Sequence, residues 1–68
     1  MQTGVSMVSD FRTTFLTIYS NLPLNTRKEV IVVLGEEPIS WNAAYIEIKG
    51  NTVKGKEILK KLQDLKII

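Results

Sequence analysis

The chain has 68 residues, with nine basic and seven acidic side chains, a formal net charge of +2, and neither histidine nor cysteine. It therefore offers no thiolate nucleophile, no imidazole base and no histidine or cysteine ligand for zinc. This composition argues against an enzyme, and we expect no cofactor and no metal.

A chain of this length forms one small domain, residues 1–68, whose core is only just large enough to fold alone. Its hydrophobic content of 44% is typical of globular rather than disordered chains. We expect residues 1–6 to form a flexible N-terminus. Because there is no signal-peptide pattern and no apolar run of about 20 residues, the sequence predicts a cytoplasmic protein without membrane contact.

Apolar residues at alternating spacings of three and four predict the first helix, over residues 8–21. Ser6 or Ser9 would begin this helix, and Pro23 stops its continuation. Arg12 would lie on its wet side. The apolar stripe consists of Val8, Phe11, Phe15, Ile18 and Leu22.

The next segment carries signals for two different structures. Thr26 and Glu29 have the spacing of a capping box, and Gly35 stands where a helix C-cap belongs. Residues 30–33, however, are four β-branched side chains in succession, which favour a strand. We interpret residues 26–34 as a helix, with a strand over 29–34 as the alternative. Residues 35–38 would form a loop that holds the adjacent acids Glu36 and Glu37 in solvent.

Residues 40–49 are also open to two interpretations. Ser40 can cap a helix whose apolar positions follow helical spacing, and Gly50 would then be its C-cap. The alternation over residues 45–49, followed by a Gly-Asn pair, instead predicts a hairpin near 45–54. We prefer the helix because its apolar pattern spans more residues. The helical positions are Trp41, Ala44, Tyr45 and Ile48.

A last helix is predicted over residues 53–66, capped by Thr52 or Asn51. Gly55 weakens its first turn, so we expect a firm start only near Lys56. The two C-terminal isoleucines should pack against the core. The apolar stripe consists of Ile58, Leu59, Leu62 and Leu65.

Together these elements predict an all-α fold, a compact bundle of three to four short helices over about 8–21, 26–34, 40–49 and 53–66. The alternative is an α+β fold with a strand over 29–34 and a hairpin near 45–54. In either case we expect the first helix to pack on the last one.

Positive charge is concentrated at the C-terminal end, where residues 49–68 hold six lysines against two acids. This segment is the candidate surface for an anionic partner such as nucleic acid. Glu57 and Lys61 stand four residues apart, as do Lys60 and Asp64, the usual pairing of a solvated helix face. The candidate phosphate-binding residues are Lys54, Lys56, Lys60 and Lys61.

Residues 56–68 resemble the helix that ends in Leu-Gly-Ile-Ile before the wing of winged-helix regulators, with Lys66 in place of the glycine. The resemblance is confined to these residues. It implies a helix-turn-helix whose pair would be the helices over 26–34 and 40–49. A small nucleic-acid-binding protein of this kind is the alternative function.

The aromatic segment around Trp41 and Tyr45 supports the leading function. Concentrated aromatic residues are either core anchors or hot spots of an interface. With Ile67, these two residues are the candidate partner-binding patch. The leading prediction is a small non-enzymatic protein-interaction module that binds a protein partner or a second copy of itself.

Overall fold

The computed structural model describes the backbone of residues 7–68 and the side chains of residues 11–68. Within that part of the chain, three α-helices accompany one antiparallel β-hairpin, so the fold is α+β. This agrees with the alternative prediction, including its strand over 29–34, and the preferred all-α prediction is wrong. The expected flexible segment 1–6 and the Val8 side chain lie outside the described residues. In chain order the elements are α1 (Met7–Asn21), a 3-10 turn (Thr26–Lys28), β1 (Val30–Leu34), β2 (Glu37–Ser40), α2 (Trp41–Lys49) and α3 (Val53–Asp64).

The three helices agree with the predicted segments 8–21, 40–49 and 53–66. The Ser40 side chain accepts a hydrogen bond from the amide of Ala43 at 3.1 Å, and Gly50 is the C-cap of α2. Thr52 accepts from the amide of Gly55 at 2.9 Å. Each hydroxyl satisfies an amide that the first helical turn leaves free, which is why these two starts were readable from sequence.

The predicted helix over 26–34 is wrong, because a 3-10 turn and β1 occupy that segment. Thr26 does not form the capping box, since it is the first residue of the 3-10 turn and the N-cap, Asn25, makes no side-chain cap. Gly35 has a φ of +61°, which suits the first position of a two-residue hairpin turn rather than a helix end. The β-branched run decided the local structure, and the loop predicted over 35–38 is confirmed only for residues 35 and 36, because Glu37 and Pro38 belong to β2.

The alternative hairpin near 45–54 is also wrong, because α2 and the start of α3 occupy those residues. The hairpin that forms is β1–β2, and it packs one face on the helices, with Val32 and Ile39 buried. The core formed by both strands and all three helices comprises Phe15, Val32, Ile39, Ala44, Ile48, Ile58, Leu59 and Leu62.

Gly55 holds α2 and α3 close together, and α3 begins at Val53 rather than near Lys56. A Cβ atom at this glycine would clash with the Glu47 carbonyl oxygen and would lie 2.9 Å from the Ile48 nitrogen. Gly55 therefore permits a close backbone approach that no other residue allows. The sequence alone predicts only that Gly55 weakens the first turn of the helix.

The C-terminal end is packed less completely than expected. Leu65 is 52% exposed, so the buried stripe of α3 ends at Leu62. Ile68 packs against the core as predicted, while Ile67 remains 38% exposed. The first and last helices are in contact, as expected from their apolar stripes.

Candidate interaction surface

The predicted aromatic patch is part of the packing between α1 and α2. The rings of Tyr19 and Tyr45 stack with centroids 4.2 Å apart and planes within 9° of parallel. The guanidinium carbon of Arg27 lies 4.4 Å from the centroid of the Tyr19 ring, and the ammonium of Lys49 lies 5.4 Å from that of Tyr45. One face of each tyrosine ring is therefore covered by the other ring, and Lys49 lies at the hydroxyl edge of Tyr45.

Hydrogen bonds fix this aromatic stack. The Tyr19 hydroxyl donates to the Asn42 side-chain oxygen at 2.6 Å, and Lys49 Nζ donates to the Tyr45 hydroxyl at 3.0 Å. That hydrogen bond, with the associated charge interaction, raises the pKa of Lys49. Arg12, which sequence analysis placed on the wet side of α1, is half-buried and donates to the Ile48 and Lys49 carbonyls at 3.3 and 3.2 Å. A cation at the C-terminus of α2 is electrostatically favourable.

Trp41 is half-buried and packs against the core, with its ring 5.6 Å from that of Phe15. It therefore joins α1 to α2, as Tyr45 does. Ile67, the third residue of the predicted patch, lies beyond the end of α3 and is exposed. The partner-binding role of these three residues stays a prediction.

The predicted cationic residues on α3 differ in what they contact. Lys54 forms an ion pair with Glu37 of β2, with Nζ 2.8 Å from Oε1, and the hydrogen bond to this carboxylate raises the pKa of Lys54. It ties α3 to the hairpin. Lys56, Lys60 and Lys61 are exposed, and no other ion pair forms between side chains of residues 11–68. The expected Glu57–Lys61 and Lys60–Asp64 pairs are therefore not formed.

The Lys54–Glu37 pair lies in an open groove of about 670 Å³ between the hairpin turn and the start of α3. The groove is shallow and wide open to solvent, and two carboxylates and one ammonium share it. It has no enclosed volume that could sequester a small molecule from water. Its lining residues are Leu34, Gly35, Glu37, Val53, Lys54 and Glu57.

The outer face of the hairpin is the apolar surface that sequence analysis missed. Val30 and Val33 are 56% and 48% exposed, whereas Val32 between them is buried. Ile31 and Leu34 are half-buried on the core side. The register shift between Val30 and Val32 marks a β-bulge, which turns two successive side chains toward the core. The two outward valines therefore stand three residues apart instead of two.

The two edges of the hairpin differ in their hydrogen-bonding capacity. In an antiparallel ladder, hydrogen-bonded and non-bonded pairs alternate, and the pair beside a two-residue turn is bonded. Leu34–Glu37 is that pair, so Val33–Pro38 is a non-bonded pair whose backbone groups point outward. Proline has no N–H, so the outer edge of β2 lacks a donor there.

The outer edge of β1 keeps its donors and acceptors. The Trp41 amide donates to the Glu29 carbonyl at 3.1 Å, so Glu29 and Trp41 form a hydrogen-bonded pair. Val30 occupies the next, non-bonded position, and its backbone groups therefore point outward. The backbone groups of Val33, in the non-bonded pair with Pro38, also point outward. Among the described residues, no group outside the hairpin forms a hydrogen bond with the backbone of β1. We call the outward backbone groups and side chains of Val30 and Val33 the β1 edge.

The helix-turn-helix pair expected from residues 26–34 and 40–49 does not form, because the first segment is not a helix. The adjacent helices of the fold are α2 and α3, joined by residues 50–52, with Asn51 at a φ of +56° in that connection. No group of three or more acidic side chains in the described part of the chain is arranged to hold a metal ion.

Comparison of the chain with protein-family models, with curated proteins and with solved structures finds no match to any of them. Over residues 7–68, no helix combines the length and apolar character needed to cross a bilayer.

Proposed function

We propose that the protein is a non-enzymatic protein-interaction module and that the β1 edge is its binding surface. One observation carries the proposal. Val30 and Val33 expose apolar side chains, and their backbone donors and acceptors also point outward. An exposed strand edge of this kind is a template for an added strand. A two-stranded hairpin also gains stability when a further strand is added, because it is marginal by itself.

The aromatic residues have a structural role in the proposed module rather than a binding role. Trp41 and Tyr45 fill the space between α1 and α2, so they hold the helices that carry the hairpin. Binding by the hairpin leaves this packing undisturbed. The surface used is therefore different from the patch of Trp41, Tyr45 and Ile67 that the sequence suggested.

Selection of short random peptides displayed on phage against the immobilised protein tests the proposal. We expect enrichment of peptides rich in β-branched residues, because they adopt the extended conformation that adds to a sheet edge. Binding of these peptides should be lost in Val33→Lys and kept in Thr17→Lys, which places the same charge on the exposed side of α1. The absence of enrichment, or equal binding to Val33→Lys, contradicts the proposal.

A second candidate function, nucleic-acid binding, is favoured by one observation. Lys56, Lys60 and Lys61 are exposed on α3 and have no acidic partner among the described side chains. α3 also follows α2 after a short connection, as the second helix of a helix-turn-helix does.

Retention of duplex DNA and of RNA at low and high salt tests this candidate. Neutralising about three phosphates gives an affinity that falls roughly as the third power of salt concentration. The double variant with Lys56→Glu and Lys60→Glu should lose retention, whereas Lys28→Glu beside β1 should keep most of it. No retention at low salt rules the candidate out.

A further inference from the structure

We propose that the β1 edge binds a second copy of this chain, with the two β1 strands antiparallel, so that two hairpins join into one four-stranded sheet. The inference rests on the proposed function and names its partner. It follows from three features of the hairpin. These are the open edge of β1, the spacing of the valines along that edge, and the charges at the two ends of β1.

The open edge selects β1 as the strand that pairs. Pro38 removes a donor from the outer edge of β2, while Val30 and Val33 both keep outward N–H and C=O groups on β1. A symmetric dimer uses the same surface on both copies. Pairing β1 with β1 is therefore the arrangement in which both copies contribute a complete set of donors and acceptors.

The spacing along the β1 edge is self-complementary. With antiparallel strands, Val30 of one copy lies opposite Val33 of the second copy, and the reverse pair follows by symmetry. The bulge lengthens the separation of these valines, but it does so equally in both strands, so the two pairs still match. The exposed side chains of the valines then cover one another, which removes apolar surface from water.

The charges beside β1 favour the antiparallel direction. Lys28 precedes the strand and Glu36 lies in the turn that follows it; both are exposed, and neither forms an ion pair within residues 11–68. Antiparallel pairing brings Lys28 of one copy near Glu36 of the second copy at both ends of the new sheet. Parallel pairing would instead place like charges together, which is unfavourable.

One strand pair makes a small interface, so association should be reversible and depend on protein concentration. Sedimentation velocity over a wide concentration range measures it directly. We expect the wild-type chain to shift from monomer to dimer, and Val33→Lys to remain a monomer at the same concentrations.

A charge exchange between Lys28 and Glu36 tests the arrangement of the strands. Lys28→Glu and Glu36→Lys each place like charges together at both ends of the interface, and each should weaken the dimer about tenfold. The double variant restores opposite charges and should return the dissociation constant to within about threefold of the wild type. Lys56→Glu, which makes the same change of net charge as Lys28→Glu but on α3, is the matched control for that variant and should leave dimerisation unchanged.

A chain that stays monomeric at every concentration overturns the inference, as does a double variant no tighter than the single ones. The two experiments distinguish failure of this inference from failure of the proposed function. If the wild type is monomeric but still selects peptides that require Val33, the module binds a different protein and only the inference falls. If peptide selection also fails, the proposed function falls with it.

Discussion

The helix pair α2–α3 and the hairpin β1–β2 adjoin the same core but are built in opposite ways. The helix pair has a side-chain cap at both helix starts and a backbone contact at Gly55 that closes the gap between the helices. The hairpin buries only one face, leaves Val30 and Val33 in solvent, and keeps an open edge. From this difference we expect the helix pair to contribute more to stability than the outer face of the hairpin, which is the surface that we propose for a partner.

We expect the largest effect on the free energy of unfolding from a substitution in the helix pair, and little effect from one on the outer face of the hairpin. Ile58→Ala removes a fully buried side chain of α3 and should lower the free energy of unfolding by about 2–5 kcal/mol. Val33→Ala should change it by no more than about 0.5 kcal/mol, because the side chain is at the surface. Urea denaturation at low protein concentration measures both. If Ile58→Ala does not fold, Ile58→Val, with an expected loss of about 1 kcal/mol, replaces it. Equal losses at the two positions would contradict the division.

The next effect concerns the contact between α2 and α3. Gly55→Ala raises helix propensity by about 1 kcal/mol, yet its Cβ clashes with the backbone of Glu47. Because that backbone cannot rotate away, we expect a net loss of about 2 kcal/mol in the free energy of unfolding. Lys56→Ala, one position further along the exposed side of α3, is the control and should be nearly neutral. A stabilised Gly55→Ala would show that the helices are not in close backbone contact.

A smaller effect is expected where the two regions meet. Ser40 is the last residue of β2 and also the N-cap of α2. Ser40→Ala removes the acceptor for the Ala43 amide and should cost about 1 kcal/mol by chemical denaturation. Ser20→Ala is the control, since the Ser20 hydroxyl bonds only to the Leu16 carbonyl within α1. An equally small loss at both serines would mean that the cap contributes nothing.

The smallest effect is the pH dependence of the Lys54–Glu37 ion pair, which joins α3 to the hairpin. The carboxylate of Glu37 raises the pKa of Lys54 in the folded state. The stabilisation is therefore fully present below the ordinary lysine value of about 10.4 and is lost as the pH rises through the higher folded value. Lys54→Met should remove this part of the alkaline decrease in melting temperature, and high salt should reduce it in the wild type. An unchanged alkaline profile in Lys54→Met would show that the pair contributes nothing.

Local signals were sufficient for the helices because each was decided within a few residues. Ser40 and Thr52 satisfy amides three positions away, and the stripes of α1 and α3 follow the helical period. Residues 26–34 were wrongly predicted because a capping-box spacing and a strand-forming run competed there. The strand prevailed because β1 pairs with β2 and buries Val32 on the helices.

The candidate site was less predictable than the fold. The sequence identified Trp41 and Tyr45 as interface or core, and only the contacts with Phe15 and Tyr19 show that they join α1 to α2. The role of Arg12 depends on carbonyls 36 and 37 residues away, which no local pattern encodes. Val30 and Val33 belong to a run of similar residues: Val33 is exposed by strand alternation with the buried Val32, and Val30 is exposed because of the bulge between Val30 and Val32.

The sequence by itself determined that the chain has no histidine or cysteine side chain and that helices form over three segments. These properties depend on composition and on contacts between neighbouring residues. The tertiary structure decided that residues 30–40 form a hairpin, that Gly55 lies against α2, and that one strand edge remains open. These features depend on residues distant in sequence. The face and the edge that a strand exposes are fixed by the elements that pack against its opposite face and pair with its opposite edge.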